Sequence, residues 1–149
     1  MVIETTRFGP VDIDERRIMT FAGGLPGFPQ ARRFVLLQTS PEPVFYWLQS
    51  LEHPNLAFVV CDPVLFVPDY EVPVRKDDLA TLELSDPGEA QVLVICNRVN
   101  GDITANLLGP LVISTRTMQA RQLVLSDKRY STRHRLIAGP AALSSVKMA

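Results

Sequence analysis

Residues 55–72 read Asn55-Leu56-Ala57-Phe58-Val59-Val60-Cys61-Asp62-Pro63-Val64-Leu65-Phe66-Val67-Pro68-Asp69-Tyr70-Glu71-Val72. Leu56 to Cys61 is a short apolar run without polar alternation, which predicts a strand covered on both sides. Asp62-Pro63 stops it, because proline has no N–H to give to a ladder. A second apolar run, Val64 to Val67, ends at Pro68-Asp69, and Tyr70-Glu71-Val72 follows. A central strand therefore runs into a proline-bounded loop with Asp62, Asp69, Tyr70 and Glu71 on it. Asn55 precedes the strand. The expectation is a rigid scaffold presenting an acidic and aromatic edge.

Working outward, the same pattern of short apolar runs and stops recurs. Phe45-Tyr46-Trp47-Leu48-Gln49-Ser50-Leu51 lies upstream. Strand alternation puts Phe45, Trp47 and Gln49 on one face and Tyr46 and Leu48 on the other. Downstream, Gln91 to Val99 holds Val92-Leu93-Val94-Ile95-Cys96 and reads as a second buried strand. Asn100-Gly101 is a primed-turn hairpin signal. Further strands are expected over Val2–Thr6, Val11–Asp14, Arg17–Phe21, Phe34–Gln38, Ile103–Leu108, Leu111–Ser114 and Arg121–Leu125. One short helix is expected near residues 77–84, with Asp77 and Asp78 at its start and Leu79, Leu82 and Leu84 on one face. Twelve prolines lie between the apolar runs rather than in a tract. The sum is an all-β, mainly β chain: a small β-barrel or barrel-like sandwich of about nine or ten short strands. A single domain over residues 1–149 is expected, with residues 138–149 as a flexible tail.

Charge narrows the function. The net charge is −1, but residues 1–115 hold 8 Lys+Arg against 15 Asp+Glu, hence −7, and residues 116–149 hold 7 Lys+Arg against Asp127 alone, hence +6. An acidic body argues against nucleic acid as the main ligand and suits a basic protein partner. No apolar run approaches the roughly 18–20 residues of a membrane span. The N-terminus carries a charge within its first apolar stretch, so no signal peptide is read and a cytoplasmic location is expected.

Catalytic patterns are weak. Gly23-Gly24-Leu25-Pro26-Gly27-Phe28-Pro29 has three glycines, but no Gly-Lys-Ser/Thr follows, so an irregular loop is expected, with Leu25 and Phe28 plugging the core. Cys61 and Cys96 lie inside apolar runs and are expected as buried free thiols, not as a disulfide, a metal pair or a nucleophile. No metal, no cofactor and no small-molecule substrate is expected. Arg129 to Arg135 is basic and is read as a solvated segment. The residue reading alone leaves an RNA- or oligosaccharide-binding barrel as the alternative.

Several motifs carry a family resemblance. Gly24-Leu25-Pro26-Gly27-Phe28, Phe45-Tyr46-Trp47-Leu48-Gln49-Ser50-Leu51, Pro54-Asn55-Leu56-Ala57-Phe58, Asp62-Pro63 with Pro68-Asp69-Tyr70, and Asn106-Leu107-Leu108-Gly109-Pro110-Leu111-Val112-Ile113 resemble, in order, those of the flagellar assembly factor FliW family. Tyr130-Ser131-Thr132-Arg133-His134 resembles its C-terminal motif. Members often carry Glu where this chain has Pro29. The resemblance implies a small β-barrel without catalytic activity. It implies binding to the translational regulator CsrA, relieving repression of flagellin messenger RNA, and binding to flagellin as the competing partner. The resemblance does not locate the contact. Asn55, Asp62, Asp69, Tyr70 and Glu71 are the candidate protein-binding residues from the loop reading.

Overall fold

The computed structural model describes residues 1–137, with the side chains of Leu79 and Pro87 left out. The tail expected over residues 138–149 and the inward face expected of Leu79 lie outside that description. Eleven strands are present among the described residues: β1 Val2–Thr5, β2 Gly9–Asp12, β3 Met19–Phe21, β4 Arg33–Leu37, β5 Phe45–Ser50, β6 Ala57–Cys61, β7 Ala90–Val99, β8 Asp102–Ala105, β9 Leu111–Ser114, β10 Gln119–Gln122 and β11 His134–Ile137. Ten coincide with expected strands to within a few residues. The eleventh, β11, starts in the basic segment expected to be solvated and runs past its end to Ile137. Its polar residues conceal a strand that exists because β8 offers an edge to pair with, His134 opposite Ala105.

β1 and β2 form a separate hairpin. The other nine strands form one sheet in the order β11-β8-β7-β6-β5-β4-β3-β10-β9, and β9 pairs back onto β7. Seven strands, β7-β6-β5-β4-β3-β10-β9, thus close a hydrogen-bonded ring. Closure depends on the length of β7. Its first half pairs with β9, from Ala90 opposite Ser114 to Leu93 opposite Leu111. Its second half pairs with β8, from Cys96 opposite Ala105 to Val99 opposite Asp102. One ten-residue strand serves both the ring and the β8–β11 extension, and closing the ring removes sheet edges that would otherwise invite aggregation. The β7–β8 connection is the primed turn its Asn-Gly demands, with φ of 51° at Asn100 and 85° at Gly101.

Sheet alternation divides the core. Inside the ring, Phe21, Phe34, Leu48, Val60, Leu93, Leu111 and Ile113 pack together, with Phe21 and Phe34 edge to face at 5.5 Å. Tyr46 and Leu48 point to this interior and Phe45 to the outer face, as alternation required. On the outer face of β6–β8, Cys61, Val94, Cys96, Ala105 and Leu107 form a second cluster. Only the far end of β6 is fully covered: Val60 and Cys61 are buried, whereas Ala57, Phe58 and Val59 are half-buried. The expectation of a strand sealed along its length is corrected there, because the segment after Cys61 folds over one end of the strand and stops.

The helix α1 spans Lys76–Thr81, shorter than expected. The Asp78 carboxylate accepts from the Arg75 backbone N–H at 3.1 Å and meets Arg121 at 3.3 Å. Leu82 and Leu84 turn down onto Val112 and Leu123 instead of continuing the helix, and Glu83 between them takes a φ of 55°. In the glycine-rich loop Leu25 is buried as expected, but Phe28 is exposed and only edges onto Phe58 at 5.6 Å. Gly24 is required there. Its φ is 71°, and a Cβ would lie 2.6 Å from the Pro29 carbonyl oxygen.

Glu52 ties the start of β4 to the turn after β5. It accepts from the backbone N–H of Arg32 and of Arg33 at 2.8 Å each, and from the Arg33 guanidinium at 2.7 Å. Partial burial pushes the Glu52 carboxyl up, but those hydrogen bonds outweigh it and the net shift is below the usual 4.5. A depressed native value stabilises the fold above the unfolded-state value, and that contribution is lost as the pH falls through the native one. Urea unfolding from about pH 7 downwards is expected to show Glu52→Gln less stable than wild type at the upper end, with the gap closing as acid protonates the native carboxyl. Equal stability at the upper end would show that the carboxylate contributes nothing net.

Candidate protein-binding surface

The segment between β6 and α1 starts with a helical signature. Asp62 is followed by proline at the first position of a 3-10 turn, Pro63–Leu65, and its carboxylate accepts from the Val64 N–H at 3.0 Å. The turn throws Val64 and Leu65 outward, 48% and 63% exposed, and directs Phe66 inward. Phe66 stacks on Phe45 at 5.8 Å, so the loop is fastened to the outer face of β5.

Tyr70 provides the second fastening and corrects the sequence reading. It is not an exposed aromatic: only 7% of its surface is accessible. Its hydroxyl donates to the Leu107 carbonyl at 2.6 Å, and its ring meets Tyr130 edge-on at 4.9 Å. Burial, with Tyr130 nearby, raises its hydroxyl above the ordinary phenol range. Tyr70 is thus a structural pin and cannot be a surface anchor. Asp62, Asp69 and Glu71 are exposed as expected.

Asn55 is exposed too, but it does not join them. It lies before β6 and Asp62 after it, and five strand residues at about 3.3 Å each hold them apart. Asn55 lines a different concavity of about 420 Å³, with Gly27, Phe28, Ala31, His53 and Leu56.

The loop surface is therefore Val64 and Leu65, with Asp62, Asp69 and Glu71 exposed on the same segment. The two apolar residues were missed as surface features because their run reads as core. The Asp62-Pro63 cap signature was the signal that could have turned them outward. Arg129 borders this surface. Its guanidinium is held by Asp127, from 2.8 Å, and lies 5.2 Å above the Tyr130 ring. Its charged form is favoured first by Asp127, then by Tyr130 and by the field of Glu71. Arg135 meets Asp102 at 3.8 Å. Two of the three arginines of the basic segment thus meet carboxylates. Trp47 lies on the outer face, under the Arg7 guanidinium at 4.1 Å and against the edge of Phe8 at 6.1 Å.

A family model described as "FliW protein" matches residues 2–136. The chain belongs to the FliW family. The flagellar assembly factor FliW of Treponema denticola is 39% identical over 140 residues, covering 93% of this chain and 95% of that protein. That of Heliobacterium modesticaldum is 38% identical over 144 residues, covering 95% and 94%. A solved structure, "Crystal structure of the flagellar assembly factor FliW", superposes with a TM-score of 0.84 at 34% identity, covering 93% of this chain and 98% of that one. The FliW family accounts for the fold and gives the chain its role in flagellar assembly. No helix among the described residues is long and apolar enough to cross a membrane.

Proposed function

We propose that this FliW chain acts without catalysis, in the cytoplasm, by binding the translational regulator CsrA and relieving its repression of flagellin messenger RNA. In this reading flagellin is the competing partner, and export of flagellin frees the factor to bind the regulator. The observation that supports a contact at the Asp62–Glu71 loop is its construction. Two exposed apolar side chains and three exposed carboxylates lie on one segment pinned by Phe66 and Tyr70. Because the loop is already ordered, binding costs little further entropy. A regulator that binds RNA must carry Arg and Lys, and opposite charge speeds association and sets register more than it adds affinity.

Binding kinetics with purified CsrA at low and high salt test this. Asp69→Lys with Glu71→Lys is expected to slow association and flatten its salt dependence, with a loss of no more than a few degrees in Tm. Leu65→Ala is expected mainly to speed dissociation. If the double reversal binds as wild type does at both salts, the loop is not the contact. Retention on RNA that weakens steeply with salt would favour the nucleic-acid-binding alternative.

A further inference from the structure

Cys61 and Cys96 occupy neighbouring strands on the outer face of the sheet. The register pairs Cys61 with Val94 and Val59 with Cys96, so the two cysteines are diagonal neighbours on one face. Both thiols are free, and their sulfurs lie 3.5 Å apart. Nothing in the assembly role uses them. Their surroundings differ. Cys61 is sealed, with no accessible surface, whereas Cys96 is 4% exposed. Cys96 also lines an open groove of about 240 Å³ with Phe45, Trp47, Val59, Arg98 and Ile103. The groove exists because the loop after Cys61 covers only one end of the sheet face.

We propose that Cys61 and Cys96 are a site of reversible oxidative modification, forming an intramolecular disulfide when a small peroxide enters this groove. Cys96 is the attacking sulfur. It opens on the groove, whereas Cys61 has no accessible surface and its thiol is raised above the ordinary range by the contact with Cys96 and then by burial. The Cys96 thiolate attacks one oxygen of hydrogen peroxide. The O–O bond breaks, and the departing hydroxide takes a proton and leaves as water. Cys96 is then a sulfenic acid. The Cys61 sulfur attacks the Cys96 sulfur, the S–O bond breaks, and the hydroxyl leaves as a second water with the Cys61 proton. Two thiols are oxidised to one disulfide as one peroxide is reduced to two waters. A disulfide needs about 2.05 Å between sulfurs, so the pair closes by about 1.5 Å, and because diagonal neighbours start about 7–8 Å apart the two strands draw together as the side chains turn. The bridge would staple β6 to β7 directly before Asp62. This inference stands on the thiol geometry and is independent of the partner reading.

The test uses the folded full chain. It is exposed to hydrogen peroxide, quenched, alkylated with iodoacetamide in denaturant and weighed intact. The expected product has lost two hydrogens, carries no alkyl group, and regains two alkylatable thiols after dithiothreitol. Cys61→Ala is expected to leave Cys96 as a sulfenic acid that dimedone traps, and Cys96→Ala to leave Cys61 unreacted. Should either variant fail to fold, the wild-type mass decides alone. Two alkylated thiols after exposure, with the native near-ultraviolet spectrum retained, would overturn the proposal. So would disulfides only between chains, which would mean that peroxide reaches the sulfurs through unfolding.

Discussion

Val94→Asp is expected to abolish folding. Val94 has no accessible surface, faces the outer cluster beside Cys61, and sits on the strand that both closes the ring and carries β8. Its neighbours there are apolar side chains and the two thiols, so a carboxylate would be buried in a low-dielectric setting. The cost is several kcal/mol even after protonation, against a total stability of roughly 5–15 kcal/mol. Circular dichroism should show loss of the cooperative transition. Arg98→Asp is the matched control on the same strand at an exposed position, with an expected change within about 0.5 kcal/mol. A cooperatively folded Val94→Asp protein would mean that β7 is not the central element described.

Tyr70→Ala is expected to destabilise the fold by about 3–5 kcal/mol, the cost of emptying an aromatic site in a core. It removes the edge contact with Tyr130 and leaves the Leu107 carbonyl without its phenol donor. In urea the midpoint should fall by on the order of 2 M. Tyr70→Phe keeps the ring and should cost about 1–2 kcal/mol, the loss of one buried hydrogen bond. The contrast bears on function. A surface anchor would lose partner affinity with stability intact, whereas a pin loses stability first and affinity only as the loop comes free. An unchanged urea midpoint for Tyr70→Ala would restore the surface reading that the structure has overturned.

Local patterns carried most of the secondary structure. Apolar runs between prolines marked ten strands, and Asn100-Gly101 set the β7–β8 register because only a primed turn matches the strand twist. Alternation sorted β5 correctly, since side-chain direction along a strand is a local property. The separation of Asn55 from the acidic loop was missed, although the strand between them keeps them apart. β11 was not legible. Only Leu136 and Ile137 in it are apolar, too short a run to mark a strand, and it forms where the edge of β8 is free to pair.

The candidate surface divides the same way. That Asp62, Asp69 and Glu71 are exposed follows from their charge, because burying an unpaired carboxylate is costly. That Tyr70 is buried, and that Val64 and Leu65 are not, follows from nothing in their own chemistry. A tyrosine suits either place. It went inside because Leu107, thirty-seven residues away, offered a carbonyl, and Tyr130 offered a ring. The sequence by itself determined the all-β class, the turns and the acidic character of the loop, since these rest on contacts between residues close in the chain. The tertiary structure alone decided the closure of the ring through β7 and β9, the inward turn of Tyr70 and the meeting of Cys61 with Cys96. Each joins residues far apart in sequence, and no local preference encodes which distant partner a side chain will meet.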